Sequence, residues 1–222
     1  MRINTALLSR HFFSFSLLLI LPSMLLAQSR FRTGAVVGLT ASQIDGDLSA
    51  GYNKLGLQAG LRVIGRLTER TDASLEFLFS QRGAQRELVK NKYGDPQYPI
   101  TLNYVEVPVQ WHYKDWLVEG DDASNGYYKV SFNAGFSYAR LIGSKLKDGE
   151  ENPFFGLVPD YLKKNDFSFV LGFNFFANRH LGFTVRYNRS IGYMYDPRDW
   201  PNPPYDRAWN GHCLYFQTVY LL

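Results

Sequence analysis

Between Leu102 and Tyr113 the chain reads LNYVEVPVQWHY, and its residues fall alternately into two unlike sets. Val105, Val107, Val109, Trp111 and Tyr113 share one side of an extended chain, while Tyr104, Glu106, Pro108, Gln110 and His112 share the other. Alternation at period two describes a strand with an apolar face and a polar face. A water-soluble sheet packs the apolar face inward, whereas a membrane barrel turns it toward lipid and lines its interior with the polar face. Few patterns limit a fold so severely, because hydrocarbon accepts only helices or closed barrels in which every backbone group is paired.

The pattern recurs in eight segments. The expected strands run over about 31–42, 54–67, 73–88, 102–113, 127–141, 166–177, 181–190 and 213–222. Ala35, Val37 and Leu39 form the apolar side of the first, and Leu57, Ala59, Leu61 and Val63 that of the second. Leu75, Phe77 and Phe79 oppose Ser74, Glu76 and Ser80 in the third. In the fifth to seventh the apolar side is largely aromatic, with Phe132, Phe136, Tyr138, Phe167, Phe169, Phe173, Phe175, Phe183 and Tyr187. The last segment places Leu214, Phe216, Tyr220 and Leu222 outward.

The composition of the polar side argues for lipid outside. It holds glycine, serine and amides rather than the long charged chains that coat a water-facing sheet, and its few charges, Arg62, Arg186, Glu76 and Glu106, can pair across a narrow lumen. Connection lengths agree. TERTD and NRH are tight, whereas QIDGDLSAGYN, VKNKYGDPQYP and the links after strands five and seven are long. Short and long connections alternate as in barrels with tight periplasmic turns and long extracellular loops. The exception is DWLVEGDDASNG between strands four and five, of medium length on the side where turns should be tight. The reading is an all-β chain, an eight-stranded antiparallel transmembrane up-and-down β-barrel with residues 28–222 as one domain.

Residues 1–27 stand apart. Arg2 and Arg10 precede the apolar run FFSFSLLLIL, and PSMLLAQS ends it with a break and the small Ala27. That order is a secretory signal peptide, and the run is shorter than the roughly 20 residues a spanning helix needs. Of 24 basic residues, Arg2 and Arg10 fall in this segment, leaving 22 against 20 acidic ones without a basic block. Nucleic acid is not an expected partner. Cys213 is the one cysteine, so the chain has no internal disulfide, no Cys-x-x-Cys pair and no Cys/His metal cluster.

Each candidate site in the chain also admits a plainer role. Asp45 and Asp47 begin a calcium-loop spacing but lack its closing glutamate, which favours an ordinary polar loop tip. The final long loop gathers Tyr193, Tyr195, Trp200, Tyr205 and Trp209 among Pro197, Pro201, Pro203 and Pro204. These rings suit a binding patch, a cover over the barrel mouth or an anchor at the lipid headgroups. Ser190 and His212 are the best nucleophile–base pair for a lipid-modifying enzyme, but the alternation points Ser190 inward and His212 outward. His112, beside Glu106 and Gln110, reads as a member of a lumen network, and Cys213 as a small residue in the wall. Arg62, Arg186, Tyr104, Glu76 and Glu106 would obstruct a pore of this calibre. No catalytic, cofactor-binding or metal residue is assigned, and no cofactor is expected.

The runs GAVVGLTASQIDGDLSAGYNKLGLQAGLRV, SLEFLFSQRGA and ITLNYVEVPVQWHY resemble the small outer-membrane β-barrel domain widespread in Bacteroidota, a grouping that includes relatives of the PorT translocation-associated protein. GYNKLG, Gly51 to Gly56, is the most specific piece, and beyond Lys145 the resemblance rests on strand pattern. The resemblance implies an outer-membrane location, contact with outer-membrane lipid, insertion by the barrel-assembly machinery through the terminal YFQTVYLL, and no shared catalytic residues. The functional expectation is a non-enzymatic scaffold or interaction protein working through its extracellular loops and an envelope protein partner, with a link to secretion as the kinship's extension. A narrow transport channel is the runner-up and a lipid-modifying barrel enzyme the third reading.

Overall fold

The computed structural model describes residues 30–46, 51–85, 100–120, 126–146, 161–203 and 206–222. The proposed signal segment lies outside them, as do Asp47, Pro204, Tyr205 and most of the connections spanning 85–99 and 147–164. Eight strands appear: β1 (Phe31–Asp45), β2 (Lys54–Arg66), β3 (Thr71–Ala84), β4 (Ile100–Val118), β5 (Tyr127–Leu146), β6 (Asn165–Phe176), β7 (Leu181–Ser190) and β8 (Asn210–Leu221). Each pairs antiparallel with its neighbour in sequence, and β1 pairs with β8, so the sheet closes and keeps no free edge around its circumference.

Closure is staggered. Following paired residues from Thr33 through Val63, Leu75, Val109, Phe136, Phe169, Arg189 and His212 returns to β1 at Gln43, ten residues beyond the start. That shear tilts the strands by about 40° and leaves an interior that side chains just fill. One irregularity interrupts the β4–β5 register between Asn103 and Tyr104, leaving Ile142 unpaired and pushed outward.

The alternation resolves as the sequence predicts, apolar side out. Leu61, Phe77, Phe136 and Phe167 are each at least 61% exposed, and the exposed apolar residues continue around every strand. Such a continuous apolar surface is untenable in water and is the surface a barrel offers to acyl chains. Inside, the fill is layered. Val36, Ile64, Leu78, Val219 and Leu221, with Phe176, form an apolar floor at the end with short turns. Ile44, Ile100, Leu102, Tyr104, Leu162, Met194, Tyr195 and Trp209 belong to a second apolar cluster at the end with long loops. Charged and amide side chains occupy the space between.

The irregular fourth connection has a structural explanation. The first third of DWLVEGDDASNG is strand: β4 continues to Val118 and β5 begins at Tyr127, while β3 reaches β4 no further than Tyr113 and β6 reaches β5 no further than Val130. The β4–β5 hairpin therefore overhangs the turn end of the barrel. Trp116 lies there with φ 58, a conformation uncommon for a non-glycine residue, and its backbone N–H donates to the Asp115 carboxylate at 2.9 Å.

Candidate functional site: a closed lumen and its cap

The inward alternation of neighbouring strands brings six ionisable groups into one column. Glu76 on β3 accepts from Arg62 Nε of β2 at 2.6 Å and from both terminal nitrogens of Arg186 on β7, at 2.8 and 2.9 Å. Gln110 of β4 donates to the same carboxylate at 3.0 Å and is itself held by Asn133 of β5. Nearer the loops, Glu106 on β4 pairs with Arg82 at 2.7 Å and accepts from Ser137 and Asn188 at 2.8 Å each. Arg82 reaches on to Asp166 of β6 at 2.8 Å. The order Arg62, Glu76, Arg186, Glu106, Arg82, Asp166 alternates in sign, three positive against three negative, and all six are buried. Glu76 and Glu106 each meet more than one donor, and Asp166 meets the Arg82 guanidinium, which is the condition under which buried charges are tolerated.

Neutral partners complete the lattice. Gln217 donates to Gln58, Asn174 links Ser131, Asn133 and Thr184, and His112 Nε2 lies 2.7 Å from Ser74 Oγ. Gly172 makes room for it, since a Cβ there would lie 2.7 Å from the Asn133 side-chain oxygen. The rings of Tyr104 and Tyr215 flank the Arg82 guanidinium at 5.1 and 5.9 Å. The result is a filled interior.

The last loop covers the mouth above this column. Tyr195 and Trp209 form a β-bridge, Met194 N–H donates to the Trp209 carbonyl, and Lys163 N–H donates to the Met194 carbonyl. Tyr195 and Trp209 are buried, whereas Tyr193 and Trp200 remain 48% and 38% exposed. Of the roles open to these aromatics, the loop thus combines two: some rings cap the barrel and others face out. The segment between them is stiffened by a short 3₁₀ turn, Pro197–Asp199, capped by Asp196. Asp196 accepts from the Arg198 backbone at 3.0 Å and from its guanidinium at 2.8 and 3.0 Å, and these bonds draw its pKa down to about 2. Trp200 packs edge-on to Tyr161, with ring centroids 4.5 Å apart.

Ser190 and His212 are not brought together. Ser190 is buried on the inner side, while His212 is on the outer side of β8, where Nδ1 lies 2.7 Å from the Tyr52 hydroxyl and Nε2 lies 3.0 Å from Asp45. Tyr52 was invisible as a partner from sequence because it arrives from a loop. Asp45 is engaged by His212 and by Gln43, and its companion Asp47 lies outside the described residues. Cys213 is buried and points inward. His112 joins the lumen network, and Arg62, Arg186, Tyr104, Glu76 and Glu106 all obstruct the interior. Arg82 and Asp166 are the members that sequence reasoning missed. Their signal was present, since Arg82 shares parity with Ser74, Glu76 and Ser80 and Asp166 has the parity opposite to Phe167 and Phe169, but both sit near strand ends.

Among solved structures the chain is similar to Ail, the attachment invasion locus protein of Yersinia pestis, at 12% identity and a TM-score of 0.45, covering 87% of this chain and 99% of that one. It is also similar to Neisserial surface protein A, at 8% identity and a TM-score of 0.42, covering 86% of this chain and 96% of that one. A third similarity is to the N-terminal β-barrel domain of Pseudomonas aeruginosa OprF, at 6% identity and a TM-score of 0.33, covering 85% and 97%. Comparison with curated proteins finds no match. The outer membrane protein beta-barrel domain family matches residues 26–196, most of a chain whose wall is apolar and whose lumen is ionic; the chain belongs to that family and is a protein of the outer membrane.

Proposed function

We propose that this protein is a non-enzymatic scaffold of the outer membrane that works through its extracellular loops, with an envelope protein as partner. The observation that carries the reading is the filled lumen: among the described residues an apolar floor, an ion column and a cap made by the last loop occupy successive levels of the bore. A barrel of this kind does its work on its surface. The exposed part of the final loop, with Ile191, Tyr193 and Trp200, is rigid enough to present aromatic side chains at low entropic cost. Residues 1–27 act as the export signal in this reading, and the barrel-assembly machinery inserts residues 28–222. Membership of the PorT-like Bacteroidota group and a part in secretion extend the proposal along the sequence resemblance.

Two measurements test it. In planar bilayers the purified protein should give no reproducible unitary conductance; a steady channel would replace the scaffold reading with transport. Affinity capture from gently solubilised envelope should recover a partner that is lost when Tyr193 and Trp200 are both changed to serine. These two rings are exposed, so the cap and the barrel should survive the substitutions. Loss of the partner only upon changes at the turn end would place recognition elsewhere.

A further inference from the structure

The outward wall is uneven in charge. β5 and β7 contain no carboxylate, and the single one in β6, Asp166, points into the lumen. The same strands carry Arg140, Lys145 and Arg189 exposed on the outer side toward the loop end. Lys145 shares its face with Thr101, its cross-strand partner. On β1 to β4 the corresponding outer positions are Gln43, Leu55, Gln81 and Asn103, none of them cationic.

Register brings the two arginines to one level. Phe136, Phe169 and Arg189 are cross-strand partners in succession, and Arg140 lies four residues further along β5 toward the loops. The stagger of the barrel lifts each successive strand by about 3 Å, which places Arg189 about 6 Å and Arg140 about 10 Å above Phe136. In the sheet the two Cα atoms are two strand spacings, about 10 Å, apart across the strands and four residues, about 13 Å, apart along them, which is about 16 Å in all, a span that two extended arginine side chains narrow. Beneath them lie the rings of Tyr138, Phe167 and Tyr187, the aromatic level at which a barrel meets the headgroups. Arg140 is also held in place. Its Nη1 donates to Asn165 Oδ1 at 2.8 Å, and the Tyr138 hydroxyl donates to the same oxygen at 3.0 Å, leaving the other guanidinium N–H groups facing out. Arg189 makes no ion pair among the described residues.

We propose that Arg140 and Arg189 form a one-sided binding site for the phosphate groups of a phosphorylated glycolipid of the outer leaflet, with Lys145 as a further cation above them. An outward arginine is expensive in hydrocarbon and nearly free at the interface, where a phosphate can take a forked pair of its N–H bonds. The apolar rings below would contact the acyl chains of the same lipid. The site is independent of the loop-mediated reading, since neither arginine belongs to the cap.

Native mass spectrometry of the full-length mature barrel, released from detergent with lipid A bearing two phosphates or none, tests this directly. The phosphorylated form should bind at least tenfold tighter than the dephosphorylated form and tighter than phosphatidylglycerol. R140Q/R189Q should remove that preference, and R140K/R189K should recover part of it. A charge-matched R66Q/R70Q variant at the turn end should leave it unchanged. Heat-modifiable mobility in gels establishes that each variant is folded. Binding that ignores phosphate number, phosphatidylglycerol binding as tight as that of lipid A, or an equal loss in the turn-end variant would overturn the proposal.

Discussion

The inside and the outside of this barrel are built from the same strands and obey opposite rules. Inside, each large side chain has named partners: Glu76 answers two arginines and a glutamine, Glu106 an arginine, a serine and an asparagine. Outside, Leu61, Phe77 and Phe136 face a solvent of acyl chains that is indifferent to which apolar group it touches. The lesson is that chemical specificity is stored in the lumen, while the wall needs only to be greasy and roughly the right height.

The sharpest way to break that contrast is to remove one lumen partner. Glu76→Ala leaves Arg62 and Arg186 buried together without their shared carboxylate, and we expect a loss of about 3–5 kcal/mol, the range for an orphaned buried charge. Urea unfolding in lipid vesicles, read by tryptophan fluorescence, measures it. A milder strike at the same region is Gly172→Ala, which drives a methyl group against the Asn133 amide. Overpacking of this kind should cost about 1–3 kcal/mol in the same assay.

The opposite side of the contrast predicts tolerance. Phe136→Leu, at one of the most exposed positions of the wall, should change stability by less than about 1.5 kcal/mol, because lipid adapts to the new shape. A loss as large as that at Glu76 would show that the wall is packed against something specific there. The smallest effect belongs to neither region but to the cap's outer turn. The pKa of Asp196 is held down to about 2 by Arg198, below its ordinary value, so the turn's stabilisation is present above that ordinary value and fades as pH falls toward 2. Local protection against hydrogen exchange around Arg198, taken relative to the intrinsic rate at each pH, should fall below about pH 4 while the barrel strands stay protected.

How much of this was legible in the sequence follows from what alternation can and cannot encode. The eight strands, their outward faces and the placing of Arg62, Arg186, Glu76 and Glu106 in the lumen were readable, because parity along a strand assigns a face without knowledge of neighbours; Glu76 does pair with both arginines, but Glu106 pairs with Arg82 instead. The link from Arg82 to Asp166 was not, because it depends on register between β3 and strands across the barrel, residues separated by 84 positions. Ser190 and His212 were rightly placed on opposite faces, but the Tyr52 contact depends on a loop path that periodicity does not describe. The fourth connection looked anomalous because strand length was underestimated: residues such as Lys114 to Val118 continue the β4 ladder past the rim, against the polar cues of the segment. The double use of the last loop also escaped the sequence, since buried Trp209 and exposed Trp200 are alike in composition and differ only in the backbone that carries them.

The stopper over the mouth is supplied by residues on either side of the last connection, and the strand that follows is the one that seals the cylinder against β1. Without that seam the arginines and carboxylates along the axis would lie open to water, so closure and drying of the bore are linked: a chain in which β8 is not docked on β1 would hold a wet half-cylinder.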